Sequence, residues 1–104
     1  MIIRIGRGPK NDIILANPTV SREHATLEVT EGRILITDLG SKSGTYLAQG
    51  EKLHRATYHE VKEHHTVLFG SERCVVGDLI RQITERNREI VYRRNPLTGE
   101  IIKE

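Results

Sequence analysis

Gly6-Arg7 and, fourteen residues after Arg7, Ser21-Arg22-Glu23-His24 bring a guanidinium, a hydroxyl, a second guanidinium and an imidazole close together in the chain. The link between them holds Pro9, Asn11, Asp12, Asn17 and Pro18 around a short apolar run, Ile13-Ile14-Leu15. Turn formers on both sides of a short strand let the chain fold back and set Arg7 beside Ser21. Lys42 adds a further cation inside a glycine-bounded loop, Gly40-Ser41-Lys42-Ser43-Gly44. These residue types suit the holding of a phosphate without its cleavage. A phosphorylated side chain offers three strong acceptor oxygens. Arg7 can meet them with a planar donor fork, Ser21 with its hydroxyl, and Lys42 with an ammonium from the opposite side. Each hydrogen bond to a charged group contributes about 1.5–3 kcal/mol, so two or three supply most of the roughly 8 kcal/mol of a micromolar complex.

Taken singly, the same residues have plainer readings. Arg7 is then a solvated surface charge and Ser21 a turn or cap residue. His24 reads as structural, its ring bonding nearby backbone and bracing its loop. Asp38 reads as an anchor for the Gly40–Gly44 loop through backbone amides rather than as a base. No nucleophile elbow, P-loop or paired-carboxylate motif occurs, so no catalytic residue is assigned. His59, His64, His65 and Cys74 fit no standard zinc spacing, and neither a metal nor a cofactor is expected.

The chain has 104 residues, a length for one domain with an appendage. Its hydrophobic content of 37% and charged content of 29% fit a globular protein. No apolar run reaches membrane-spanning length, and Met1-Ile2-Ile3-Arg4 lacks the features of a signal peptide. A lone cysteine, Cys74, fits a reducing compartment, so a cytoplasmic location is expected. Residues 1–80 carry ten basic and ten acidic side chains, whereas residues 81–104 carry six basic and four acidic ones. The resulting +2 is too small to argue for nucleic acid, and 4% aromatics without Trp make a poor base-stacking platform.

The elements that must position the candidate residues are short strands cut by turns. Ile2–Ile5 and Ile13–Leu15 are brief apolar runs. Ala25–Val29 alternates at period two, Glu31-Gly32 turns the chain, and Ile34–Leu39 returns, which defines a hairpin. Thr45–Leu47 follows the Gly40–Gly44 loop, and a polar stretch follows Gln49-Gly50. Val67–Phe69 and Cys74–Val76 flank Gly70-Ser71 as a last hairpin. This pattern predicts an all-β antiparallel sandwich over residues 1–77. At Gly77-Asp78 the apolar spacing becomes helical. Residues 78–104 therefore read as an extension, with a helix over 79–88 capped by Asp78. Beyond it, Ile90-Val91-Tyr92 and Ile101-Ile102 flank a turn at Asn95–Gly99, as a small hairpin or a tail.

Gly6-Arg7, Asn11-Asp12-Ile13-Ile14-Leu15, Val20–Ala25 and Asp38–Thr45, in this order, resemble the forkhead-associated (FHA) domain over about residues 2–76. The resemblance implies a sandwich that binds phosphothreonine peptides through loops at one end, and a partner that is a Ser/Thr kinase or its substrate. It implies that Arg7, Ser21 and Lys42 contact the phosphate and that Arg22 and Ser43 lie along the peptide. Gly6, His24, Asp38, Gly44 and Thr45 would support the site. Two departures stand out. Ser43 replaces the family's usual Asn, which holds the peptide backbone. Only Met1–Ile5 precede Gly6-Arg7, where family members usually have strands, so a sheet edge would lie open. Strands at Ile90–Tyr92 and Glu100–Ile102 would cover that edge, within one chain or between two copies. Both departures favour a second reading, a phospho-independent assembly subunit on the same scaffold.

Overall fold

A computed structural model describes residues 1–94, with side chains through Arg86. Nine strands and one helix follow in chain order: β1 Ile2–Gly6, β2 Ile13–Ile14, β3 Ala25–Thr30, β4 Arg33–Asp38, β5 Thr45–Gln49, β6 Lys52–Arg55, β7 Tyr58–Val61, β8 Thr66–Phe69, β9 Glu72–Val75 and α1 Val76–Arg94. They form two sheets, ordered β2-β1-β3-β4-β7 and β6-β5-β8-β9. Every pairing is antiparallel except the short parallel contact of β1 with β2.

Alternation places the core between the sheets. Ile3 and Ile5 of β1 are buried while Ile2 and Arg4 are exposed. Leu27, Ile36, Leu47 and Phe69 complete the inner layer from the neighbouring strands. Burying each such side chain contributes about 1.5–3 kcal/mol, which makes this layer the main source of rigidity. Glu31 and Gly32, at φ 39° and 82°, both adopt the left-handed geometry of a tight two-residue hairpin loop between β3 and β4. The three loops that carry the candidate residues meet at one end of the sandwich. The amides of Arg7 and Gly8 donate to the carbonyls of Ser21 and Arg22, and the Lys42 amide donates to Ser21 Oγ.

The polar stretch after Gly50 contains two strands that the pattern did not predict, β6 and β7. The helix also differs from expectation. It begins at Val76, ahead of Asp78, so Asp78 lies in its first turn instead of capping it. Val76 and Leu79 are drawn into the core, which starts the helix earlier than its propensities suggest. α1 continues through Ile90-Val91-Tyr92, so those residues are helical and supply no strand to cover an open edge. Glu100–Ile102, the other half of that hairpin, lies outside the described residues. Among the described residues β9 pairs only with β8, and the first turns of α1 pack beside it. No helix among the described residues is long and apolar enough to cross a membrane.

Candidate functional site

Arg7 follows the last residue of β1, where the chain leaves the sheet. Its Nε donates to Val20 O at 2.9 Å. That single bond aims the guanidinium, and its Nη donors have no other partner among the described residues. Ser21 sits opposite. Its Oγ accepts the Lys42 amide at 3.0 Å, so the hydroxyl hydrogen stays available for an anion. The same bond ties the Gly40–Gly44 loop to the Ser21 loop. The Lys42 side chain is exposed above it and makes no ion pair among the described residues. Arg7, Ser21 and Lys42 are thus brought together by backbone bonds.

Gly6 has a steric reason. A Cβ there would overlap the Arg22 carbonyl and approach Asn11 Nδ2 to 2.8 Å. Only glycine lets β1 run flush against the loop that carries Ser21. Asn11 then joins the loops, its amide donating to Gly8 O at 2.8 Å and Arg22 O at 2.7 Å. Its bracing role was missed from sequence, although its place in a Pro-Lys-Asn-Asp turn was the available signal. The Arg22 side chain is exposed, on the outer side of this joint.

His24 is fully buried. Its Nδ1 accepts the Ser21 amide at 3.0 Å, which leaves the ring proton on Nε2 for Gly44 O, also at 3.0 Å. One imidazole therefore spans both loops. It also stands edge-on to Phe69 at 5.7 Å between ring centroids, with an interplanar angle of 87°.

Asp38 ends β4 and organises the next turn. Its Oδ1 accepts the amides of Gly40 and Ser41 at 2.7 and 2.8 Å, and Oδ2 accepts the hydroxyls of Ser41 and Thr45. Burial alone would raise the carboxyl pKa, but these donors outweigh it and hold the group below its ordinary value. The unfolded chain therefore takes the proton more readily than the folded one. Stability supplied by Asp38 is complete above the ordinary carboxylate pKa of about 3.9 and drains as pH falls toward the folded value. Thermal unfolding from pH 7 to pH 3 is expected to show this loss below about pH 4. Asp38→Asn is expected to cost about 2 kcal/mol at neutral pH and to flatten that acid limb.

Gly44 closes the loop at φ 93°, and an added Cβ would meet Tyr46 Oη at 2.8 Å. Tyr46 Oη donates to Ser43 O at 3.1 Å, so it fixes that carbonyl. The Ser43 side chain is exposed on the loop rim. Thr45 is buried and directs its hydroxyl to Asp38. The other histidines lie elsewhere. His64 and His65 form an edge contact, and His65 Nδ1 accepts the Lys62 amide at 3.0 Å. Cys74 is half-buried on β9, and burial, then Glu72 and Asp78, push its thiol up to about 11. Among the described residues no three His, Cys, Asp or Glu side chains gather as a metal cluster.

A β-sandwich that holds a guanidinium, a free hydroxyl hydrogen and an ammonium at one loop end is an anion-binding scaffold of the kind that reads phosphorylated side chains. The FHA domain family model matches residues 3–70, and the chain belongs to that family. It is 48% identical over 42 residues to an oxoglutarate dehydrogenase inhibitor of Corynebacterium efficiens, a match covering 40% of this chain and 30% of that protein. It also resembles the FHA-2 domain of an ABC transporter of Mycobacterium tuberculosis, with 32% identity, a TM-score of 0.60 and coverage of 71% of this chain and 65% of that one. EmbR of Mycobacterium tuberculosis, solved in complex with a low-affinity phosphopeptide, aligns at 28% identity and a TM-score of 0.59, covering 69% of this chain and 18% of that one.

Proposed function

We propose that this chain is a phosphothreonine-peptide recognition module of Ser/Thr kinase signalling, which binds without catalysis and acts in the cytoplasm. The observation that carries this reading is the state of Ser21. Its oxygen is committed to the Lys42 amide, and its hydrogen is left to donate between the cations Arg7 and Lys42. The phosphate then meets donors held by the scaffold, with little ordering left to complete on binding. The phosphopeptide complex solved for EmbR supports the same ligand class. The partner is a protein carrying phosphothreonine, a kinase or its substrate.

Titration of a phosphothreonine peptide against its unphosphorylated twin tests the reading. The phosphorylated form is expected to bind at least about a hundredfold more tightly, the equivalent of two charge-assisted hydrogen bonds. Equal affinity for both forms would establish a phospho-independent scaffold instead. Ser43 limits how the peptide backbone is gripped. Ser43→Asn adds an amide donor and acceptor at the loop rim and is expected to tighten the phosphopeptide complex about fivefold, the worth of one neutral hydrogen bond. Isothermal titration of the two proteins with one peptide checks this.

A further inference from the structure

The outer face of the four-stranded sheet carries a surface that the phosphate site does not use. Leu47, Val67, Phe69 and Cys74 point toward the core, so alternation turns their neighbours outward. The sheet register sets these neighbours in two rows that run across the strands from β6 to β9. One row is Arg55, Tyr46, Leu68, Arg73, and the next is Leu53, Ala48, Thr66, Val75. Leu53 is 53% exposed and Val75 38% exposed. Leu68 is only 9% exposed although it lies apart from the core, so its neighbours in the rows shield it. The described part of α1 turns Leu79, Ile80 and Ile83 to the core and leaves Leu53 and Val75 uncovered.

The charges on this face have one sign. Arg55 and Arg73 end the first row on opposite sides, and no acid stands in either row. Neither arginine makes an ion pair among the described residues. The Arg55 guanidinium lies 5.7 Å from the centroid of the Tyr46 ring, which draws it over the face. Glu72, next to Arg73 on β9, points to the other side and accepts from Asn17 Nδ2 at 3.2 Å, and Asp78 is paired with Arg81. Three strand spacings separate the two arginines, about 14 Å in all. A helix with its side chains is about 10–12 Å across, so one helix fills that span. An apolar stripe on it meets Leu53, Ala48, Leu68 and Val75, while acids on both borders of the stripe reach Arg55 and Arg73. A second copy of this chain laid face to face would bring two more arginines against these two, which disfavours self-association.

Going beyond the phosphate-reading function, we propose that this sheet face docks an acidic amphipathic helix of a partner protein. The helix lies along the strands, between Arg55 and Arg73. Its footprint is short, because four residues of strand span about 13 Å, the length of about nine residues of helix. A contact of that size is weak and transient by itself. Joined to a phosphorylated segment of the same partner, it adds to the affinity of the loop end through the linkage alone.

The test uses the full chain and a labelled helical peptide of about fifteen residues, with leucines at helical spacing and glutamates on both borders of the leucine stripe. Twin peptides carry glutamine or lysine at the border positions. Fluorescence polarisation at low salt is expected to place glutamate about fivefold above glutamine, the worth of two exposed ion pairs, and lysine last. Amide shifts on adding the glutamate peptide are expected at Ala48, Leu53 and Val75. In the Arg55→Glu/Arg73→Glu double variant, with folding checked by thermal unfolding, the ranking is expected to reverse. Leu53→Ser is expected to weaken all three peptides. A saturating phosphothreonine peptide is expected to leave the glutamate peptide bound, so failure of phosphate reading and failure of this docking face are separate results. The proposal is overturned if none of the peptides binds, if the glutamate and lysine peptides bind alike, or if the double variant keeps the original ranking. It is also overturned if the shifts fall on another face or if the phosphothreonine peptide displaces the helix. Self-association of the chain that Leu53→Ser abolishes would overturn it as well and make the face a contact between two copies.

Discussion

Arg7→Ala is expected to weaken binding of a phosphothreonine peptide by about two orders of magnitude while the domain stays folded. In the proposed complex two Nη donors meet the phosphate, and bonds of that kind contribute about 1.5–3 kcal/mol each. The structural cost is smaller. The side chain is exposed and makes one internal hydrogen bond, from Nε to Val20 O, worth about 1 kcal/mol. The backbone amide of Arg7 keeps its bond to Ser21 O whatever side chain is present. Binding and stability should therefore separate, with affinity collapsing and the unfolding temperature moving by only a few degrees. Arg7→Lys refines the test. It keeps the charge but loses the planar fork and the aiming bond, so a loss of about tenfold is expected. Titration calorimetry beside thermal unfolding of the three proteins measures both quantities. An unchanged affinity in Arg7→Ala would remove Arg7 from the site.

How much of this was legible in the sequence depends on which face each residue buries. β1, β3, β4, β5 and β8 alternate or run apolar because their inner faces meet the core, and they were readable. β6 is exposed along its whole length, β7 buries only Val61, and among the described residues β6 pairs only with β5 and β7 only with β4. Such edge strands are held by a neighbour's backbone, so their side chains carry little periodic signal. The helix was legible, but its bounds were not. Its β-branched Ile80 and Ile83 weaken the propensity signal, but both pack against the core, and that packing decides the outcome. The spacing of Arg7, Ser21 and Lys42 pointed to one cluster, but the hydrogen that Ser21 keeps available could be read only from its bond to the Lys42 amide.

The support of the site is more demanding than its contacts. Arg7, Arg22, Lys42 and Ser43 are exposed, and sequence reading can name them without knowing what holds them. Gly6, Asn11 and His24 set the distances between loops that lie far apart in the chain, and Asp38 and Tyr46 set the shape of the Gly40–Gly44 loop. Gly6 does so through the space it leaves empty. The others do so through hydrogen bonds to backbone or, for Asp38, to backbone and hydroxyl groups. Changing an exposed contact alters affinity, whereas changing a brace alters stability and affinity together.

His24→Ala should show that coupling most strongly. The imidazole is fully buried, and both of its nitrogens are used. Truncation leaves the Ser21 amide without its partner, leaves the Gly44 carbonyl with the Gly70 amide alone, and opens a cavity against Phe69. An abandoned buried polar group costs about 1–3 kcal/mol, and cavity formation adds to it. A loss of about 3–5 kcal/mol is expected, a large share of the roughly 5–15 kcal/mol that holds a domain together. Chemical denaturation should show a lower midpoint with an unchanged slope, because the same surface is exposed on unfolding. Below the temperature at which the variant unfolds, phosphopeptide affinity is expected to fall at least about tenfold, because the Ser21 and Gly44 loops keep only the Lys42 amide bond to Ser21 Oγ as a tie and the phosphate donors must be ordered on binding. His24→Gln separates the two causes. Its amide can offer a donor and an acceptor but fills less space than the ring, so it should recover part of the affinity while remaining destabilised. If His24→Ala keeps full affinity in its folded state, the imidazole stabilises the sandwich without positioning the phosphate loops.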